Sequence, residues 1–402
     1  MPVEGPVERA DVYKAGTLAG KLTRERTGVR FAYTSSYAAS DLPAVATTLP
    51  RGAEDIVTPP GAVPPYFAGL LPEGRRLTAL RQSLKVSADD ELSLLCAVGT
   101  DTIGDVQVVP EGDDPHAISP AVDLEPGGAY DFSRLVDTLM PLDRVGIPGI
   151  QDKVSGRMIA VPADEAGRRY ILKLNPPEYP HVVENEAMMI ELARECRVPV
   201  VDARLVHDVH GIAGLLVTRF DRHSTAEGMT VSRAVEDGCQ LMDRWPADKY
   251  SVSTENLAQS VIALCAAGAV AARDVFRQLA FAILTGNGDL HAKNLSIVTE
   301  PTGEWRVAPA YDIPCTALYG DRTLALPIAG RRSGISRRIL LDFAEAIGLR
   351  RTAASRWLDE LVDGTAGLTE RVGRFADMLP SDAVRRATRE ITNRRRLLTE
   401  GR

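Results

Sequence analysis

The stretch Gly286-Asn287-Gly288-Asp289-Leu290-His291-Ala292-Lys293-Asn294, followed by Tyr311-Asp312-Ile313, decides how the rest of the chain is read. Upstream of it, Val275 to Leu284 has helical spacing, with Val275, Leu279 and Ile283 in one apolar row and Phe276, Ala280 and Leu284 in a second. Gly286-Asn287-Gly288 breaks that helix, which predicts that Asp289 sits on a loop rather than in a core. Downstream, Leu295-Ser296-Ile297-Val298, a turn at Pro301-Thr302-Gly303 and Trp305-Arg306-Val307 predict a hairpin. Asn294 and Asp312 lie at similar chain distances from its turn, so closing the hairpin brings them together. One carboxylate and one amide oxygen at an open end suit Mg²⁺, a hard cation that keeps waters and takes phosphates as ligands. Asp289 would orient a hydroxyl and accept its proton. Asp, Asn and Gly also form ordinary turns, so this stretch needs support from elsewhere in the chain.

The support lies upstream. Protein kinases carry a catalytic-loop Asp, an Asn five positions later and a second metal-binding Asp, the order in which Asp289, Asn294 and Asp312 occur. Kinases also cover the phosphates with a Gly-rich loop and hold them with a strand lysine. Gly146-Ile147-Pro148-Gly149-Ile150-Gln151-Asp152-Lys153-Val154-Ser155-Gly156 is such a loop by composition, although it matches neither G-x-G-x-x-G nor the Walker pattern. Two strands are predicted after it, Arg157 to Val161 and Tyr170 to Leu174. Lys173 interrupts the second, where a charge needs a partner. Glu186, on a helix predicted from about Glu184 to Cys196, is the candidate. Leu215 to Arg222 is a buried strand ending in a polar turn, placed where a hinge would face an adenine. Beyond it helices are expected at 231–242, 254–267 and 271–285, and several more from 334 to 398.

The chain has 402 residues, enough for two or three domains, and a formal net charge of −7, which argues against nucleic-acid binding through a globally basic surface. No apolar run approaches the roughly 20 residues of a membrane span. The N-terminal residues lack a basic start and an apolar segment, so no secretion signal is expected. Five scattered cysteines without a C-x-x-C pair fit reduced thiols in a cytoplasm. The basic clusters Arg331-Arg332, Arg337-Arg338 and Arg394-Arg395-Arg396 are expected on solvated helix faces.

The expected fold class is α+β: a two-lobed protein-kinase-like fold with a sheet-rich N-lobe, an extra N-terminal α+β subdomain and an all-helical C-lobe. The subdomain occupies 1–112, with strands at Asp11–Tyr13, Thr17–Leu22, Val29–Tyr33 and Gly104–Val109, and shows no catalytic feature. Residues 113–130, rich in Pro, Gly and Asp, are expected to be a linker, 131–222 the N-lobe and 223–402 the C-lobe.

These residues resemble the HipA-type serine/threonine kinases, the toxin halves of bacterial toxin–antitoxin modules. The resemblance covers about residues 10 to 395. It rests on Gly149 to Lys153, Ile171 to Leu174, Arg219-Phe220-Asp221-Arg222, Glu236 to Gln240, Gly288 to Asn294 and Tyr311 to Ile313, with Leu70 to Gly74 and Gly99 to Val109 in the first half. It implies ATP and Mg²⁺ as cofactors, Asp289 as catalytic base, and Asn294 and Asp312 as metal ligands. Lys173, paired with Glu186, would hold phosphates under the loop 147–154 (Ile147, Gly149, Ile150, Gln151, Asp152, Lys153, Val154). Thr218 and Phe220 would offer hinge backbone groups, and Gln240, His291 and Lys293 would lie at the nucleotide. It further implies a cytoplasmic protein substrate, typically an aminoacyl-tRNA synthetase. The implied partner is a small helix-turn-helix antitoxin, through which alone DNA would be met. One departure stands out: Gly146 occupies the place of a regulatory, autophosphorylated serine, and Ser155 on the other side of the loop is a weak substitute. Two other readings remain open, a non-catalytic partner-binding and co-repressor module and a small-molecule kinase.

Overall fold

The computed structural model describes residues 6–87, 89–115, 122–124, 130–132, 158–165, 167–224 and 230–401. The loop residues Ile147, Gly149, Ile150, Gln151, Asp152, Lys153 and Val154 lie outside the described residues, as do Gly146 and Ser155.

Three units follow one another along the chain. In the first, strands Arg9–Lys14, Thr17–Glu25 and Gly28–Tyr33 form the predicted antiparallel meander. Ile56–Thr58 and Val106–Pro110 extend it at either edge. Alternating side chains of this sheet, such as Ala10, Val12 and Leu22, pack with Tyr66, Phe67 and Leu92 from the helices Pro65–Gly69 and Glu91–Val98. This period-2 burial gives the unit a core of its own.

The second unit is a five-stranded sheet in the order Val122–Asp123, Ile159–Glu165, Arg168–Leu174, Ala213–Thr218, Ala203–His207. Its first strand corrects the expected linker: Val122 and Asp123 pair in parallel with Ala163 and Asp164, and Leu124 is buried. Proline-rich flanks hid a strand too short to show a period. The helix Val182–Glu195 packs on the sheet strand Ala213–Thr218.

The third unit contains helices Thr254–Leu264, Gly268–Thr285, Arg337–Ala346, Arg351–Gly364, Leu368–Gly373 and Ser381–Thr399 around the molecule's largest core. It also carries a three-stranded sheet, so this lobe is mainly rather than entirely helical. The predicted hairpin forms as Ser296–Thr299 and Trp305–Val307, and Val235–Asp237 adds to it. Residues 231–242 were expected to be helical. Instead Val235, Glu236 and Asp237 pair with Val298, Ile297 and Ser296, a non-local contact invisible to local periodicity. Helix begins only at Gly238. There the Asp237 carboxylate accepts from the Gln240 N–H at 3.0 Å, and the Gln240 side chain accepts from the Asp237 N–H at 2.8 Å. This reciprocal cap fixes the start of a helix that ends at Leu241.

Candidate active site

The helix Gly268–Thr285 delivers the central loop. Val275, Phe276, Leu279 and Ile283 are buried, which fixes the helix's rotation, and it ends on Gly286 with φ of 72°. A Cβ there would also sit 3.1 Å from Ala317 Cβ, so glycine serves both the left-handed cap and the close packing. The loop is then tied down from outside. The Gly288 N–H donates to Thr316 Oγ1 at 2.7 Å, and the Asp289 N–H donates to Asn287 Oδ1 at 2.7 Å.

Asp289 is on a loop, as expected, but it is fully buried rather than open to solvent. The Tyr250 hydroxyl donates to its Oδ1 at 3.2 Å, and the Tyr250 ring meets His291 edge to face. Burial and the Asp289 carboxylate both push the Tyr250 pKa up, so this hydroxyl remains a donor. The Asn294 side-chain N–H donates to the Asp289 carbonyl at 2.9 Å, which leaves the Asn294 amide oxygen for another ligand.

Asp312 arrives from the far side of the hairpin. The Val201 N–H donates to the Ala310 carbonyl at 3.0 Å, and the Tyr311 hydroxyl donates to the Lys293 carbonyl at 2.7 Å. Asp312 itself has φ of 51°, a left-handed conformation that Asp tolerates better than most side chains. Just beyond it, Asn185 exchanges hydrogen bonds with the Cys315 backbone at 3.0 and 3.1 Å. The helix carrying Asn185 also carries Glu186, so one helix fixes both the Asp312 segment and the lysine's partner.

Lys173 joins the two. Its ammonium donates to both Glu186 oxygens at 2.7 and 2.9 Å and to Asp312, with Lys173 and Glu186 buried. Burial alone would lower the lysine pKa; Asp312 and Glu186 outweigh it and raise the value, so the cation persists. Asp312 and Asn294 bring two hard oxygen atoms to the cleft that Lys173 also lines. That donor set fits Mg²⁺, which takes few protein ligands and completes its shell with water and phosphate.

Lys173, Asn294 and Asp312 line a cleft of about 350 Å³, together with Thr218, Phe220, Gln240, His291 and Lys293. Glu186 stands behind Lys173. Three of the expected nucleotide contacts are otherwise engaged. The Gln240 amide caps its helix and donates to the Tyr66 carbonyl at 2.9 Å. The Lys293 ammonium donates to the Gly69 carbonyl at 3.0 Å and pairs with Glu73 at 3.1 Å and Asp237 at 3.6 Å. The Thr218 N–H is donated to the Asp202 carbonyl at 2.8 Å. His291 is buried, and burial with Lys249 nearby lowers its pKa to about 3, so it is neutral.

The sequence reading missed the other wall. The N-terminal unit, expected to lack catalytic features, contributes Leu70, Leu71, Glu73, Arg76, Asp101 and Ile103 to the cleft. Glu73 also pairs with Lys249. Burial would raise the Glu73 pKa, but Lys293 and Lys249 hold it at about 2. At the hinge, Arg219 reaches Asp101 at 2.7 Å and the Thr102 carbonyl at 2.7 Å, and Arg222 reaches the same two at 3.0 and 2.9 Å. Buried Asp221 holds both arginines and accepts from the Gly104 N–H at 2.9 Å. Leu-Pro-Glu-Gly and Arg-Phe-Asp-Arg were visible as motifs, but nothing in their spacing says that one unit grips the other.

Comparison with known proteins bears on both walls. Residues 145–367 match the model of the HipA-like C-terminal domain, and residues 10–109 that of the HipA N-terminal domain. The chain belongs to the HipA family. The Sinorhizobium fredii protein Y4mE, named only provisionally as a kinase, is 30% identical to this HipA-family chain over 93% of it and 94% of the relative. The serine/threonine-protein kinase toxin HipA of Shewanella oneidensis is 27% identical over 85% of this chain and 84% of its own. The solved structure of Shewanella oneidensis HipA with HipB and operator DNA gives a TM-score of 0.75 at 23% identity, covering 96% of each chain. That match shows the fold: two kinase-like lobes with the N-terminal unit of the HipA family. No helix among the described residues is long and apolar enough to cross a membrane.

Proposed function

We propose that this HipA-family kinase is an ATP- and Mg²⁺-dependent serine/threonine protein kinase. The observation that carries the reading is the buried Lys173–Glu186 pair bonded to Asp312, with Asp289 and Asn294 on the adjoining loop. In kinases this lysine–glutamate pair and the second Asp must both be in place for transfer. Bound Mg²⁺ would neutralise charge on the transferred phosphoryl group, held by Asp312 and the free oxygen of Asn294. Lys173 would steady the phosphates. Asp289, oriented by Tyr250 and by its own backbone contacts, would accept the proton of the attacking hydroxyl. Enclosure on three sides, by both lobes and the N-terminal unit, would keep water from competing with that hydroxyl.

The fold match to a toxin solved with HipB and operator DNA, and the family membership, support a toxin that acts in the cytoplasm and is neutralised by a DNA-binding antitoxin. An aminoacyl-tRNA synthetase is the substrate to try first.

The test is incubation with ATP, Mg²⁺ and a cell extract, read by phosphoprotein mass spectrometry beside Asp289→Asn. The isosteric change should leave the melting temperature within a few degrees and lower transfer by roughly 10³-fold or more, the range of a lost general base with its positioning. Transfer that survives in Asp289→Asn overturns the assignment of the base.

A further inference from the structure

Arg76 lies in the first turn of the helix Gly74–Leu84 and lines the cleft from the N-terminal unit. Its neighbours in sequence are engaged: Arg75 pairs with Glu178 at 2.6 Å, and Glu73 with Lys249 and Lys293. Arg76 makes no hydrogen bond and no ion pair with any of the described residues. The carboxylate that acts on it electrostatically, Asp101, is already shared between Arg219 and Arg222. Its side chain is accessible to solvent, yet the surrounding walls desolvate it. Burial lowers its pKa, Arg219 lowers it further, and Asp101 opposes both. A guanidinium held in a cleft without an acceptor among the described residues is poised for a ligand, because toward those residues its donors and its flat face are unused.

Its place says which part of a ligand it meets. Asp101 and Arg219 belong to the hinge end of the cleft, whereas the cation and the metal ligands, Lys173, Asn294 and Asp312, form the other. From the second unit, Ala160, Ile171 and Val217 give the same cleft an apolar surface suited to a flat aromatic ring. We propose that Arg76 contacts the nucleoside half of the nucleotide, so that the N-terminal unit completes the nucleotide site. The latch of Asp101, Arg219, Asp221 and Arg222 fixes the unit that carries Arg76 against the hinge, and rigid placement is what makes such a contact count.

The inference rests on the kinase reading, and calorimetry on the full chain separates the two. Wild type binding Mg²⁺–ADP supports the kinase reading by itself. Arg76→Ala and Arg76→Gln should weaken ADP and adenosine to the same degree, by roughly tenfold, as expected for losing a cation on an aromatic ring in a partly desolvated site. Melting temperatures should be unchanged, since the side chain is accessible and unpaired. Unchanged affinity for both ligands in both variants overturns the role of Arg76 and leaves the kinase reading standing. A loss with ADP but none with adenosine overturns the placement at the nucleoside. Wild type that binds neither ligand removes the kinase reading and the inference with it.

Discussion

The two ends of the cleft are built by opposite means. At the Lys173 end, Asp289, Asn294 and Asp312 come from one helix–loop–hairpin, and Lys173 and Glu186 from one strand–helix pair. At the hinge end, Arg219, Asp221 and Arg222 close on Asp101 and Gly104, more than one hundred residues earlier in the chain. Charge is used differently too. The Lys173 cation faces two carboxylates and stands where substrate charge would gather. The hinge network is saturated: each arginine already has carboxylate and carbonyl acceptors. The first arrangement is suited to chemistry and the second to holding two bodies in register.

Breaking the Lys173 end should cost most. Lys173→Met leaves Glu186 and Asp312 without their shared cation in a buried site. Stability should fall by about 3–5 kcal/mol, the usual cost of removing one partner of a buried pair, and phosphoryl transfer should disappear. Adding Glu186→Met should restore much of the stability and none of the activity, as read by urea unfolding and phosphate incorporation. A double variant that stays as unstable as the single one would show that packing, not charge, is at issue.

The hinge should respond with a different signature. Asp221→Asn removes the carboxylate that gathers Arg219 and Arg222. Burial alone would raise the Asp221 pKa, but the two arginines hold it below the ordinary range, so the ionised form is the one the network needs. The expected loss is about 2–4 kcal/mol. Hydrogen exchange should speed up at the Gly104 amide, and the nucleotide KM should rise more than kcat falls. A fall in kcat with unchanged KM would contradict the division of labour between the two ends.

The smallest effect concerns another contact between the units. The buried Glu236 carboxylate accepts from the Thr47 N–H at 2.8 Å and from its hydroxyl at 2.6 Å. Desolvation raises its pKa to about 7, against which the Thr47 bonds work. The folded state therefore binds this proton more tightly than the unfolded chain. Its contribution to stability is full below the ordinary carboxylate pKa of about 4.5 and is lost as pH rises towards 7. Thermal melts from pH 5 to pH 8 should show this decline in wild type and a flatter profile in Glu236→Gln.

Legibility in the sequence followed the same division. The break at Gly286, the hairpin and the lysine on the strand Arg168–Leu174 were readable because each depends on neighbours within a few residues. The order Asp289, Asn294, Asp312 was readable because kinase chemistry fixes the residue types as well as the spacing. Residues 231–242 failed as a helix because Val235–Asp237 finds its partners some sixty residues downstream, and cross-strand pairing overrode local preference. The family resemblance put Lys293 at the nucleotide. Folding instead brings Glu73 and the Gly69 carbonyl to its ammonium, and a Cβ at Gly69 would lie 2.7 Å from the Gln240 side chain, so the two units touch closely there.

By itself, then, the sequence determined the helix–loop–hairpin, the strand lysine and the kinase-type order of Asp289, Asn294 and Asp312, since these follow from short-range sterics and from the chemistry of the groups. Only the tertiary structure decided that Asp289 is buried beneath Tyr250, that the hinge arginines clasp the N-terminal unit, and that this unit walls the cleft. Those outcomes depend on which distant carboxylates meet which cations once water is excluded, and burial is a property of the whole fold that no local pattern encodes.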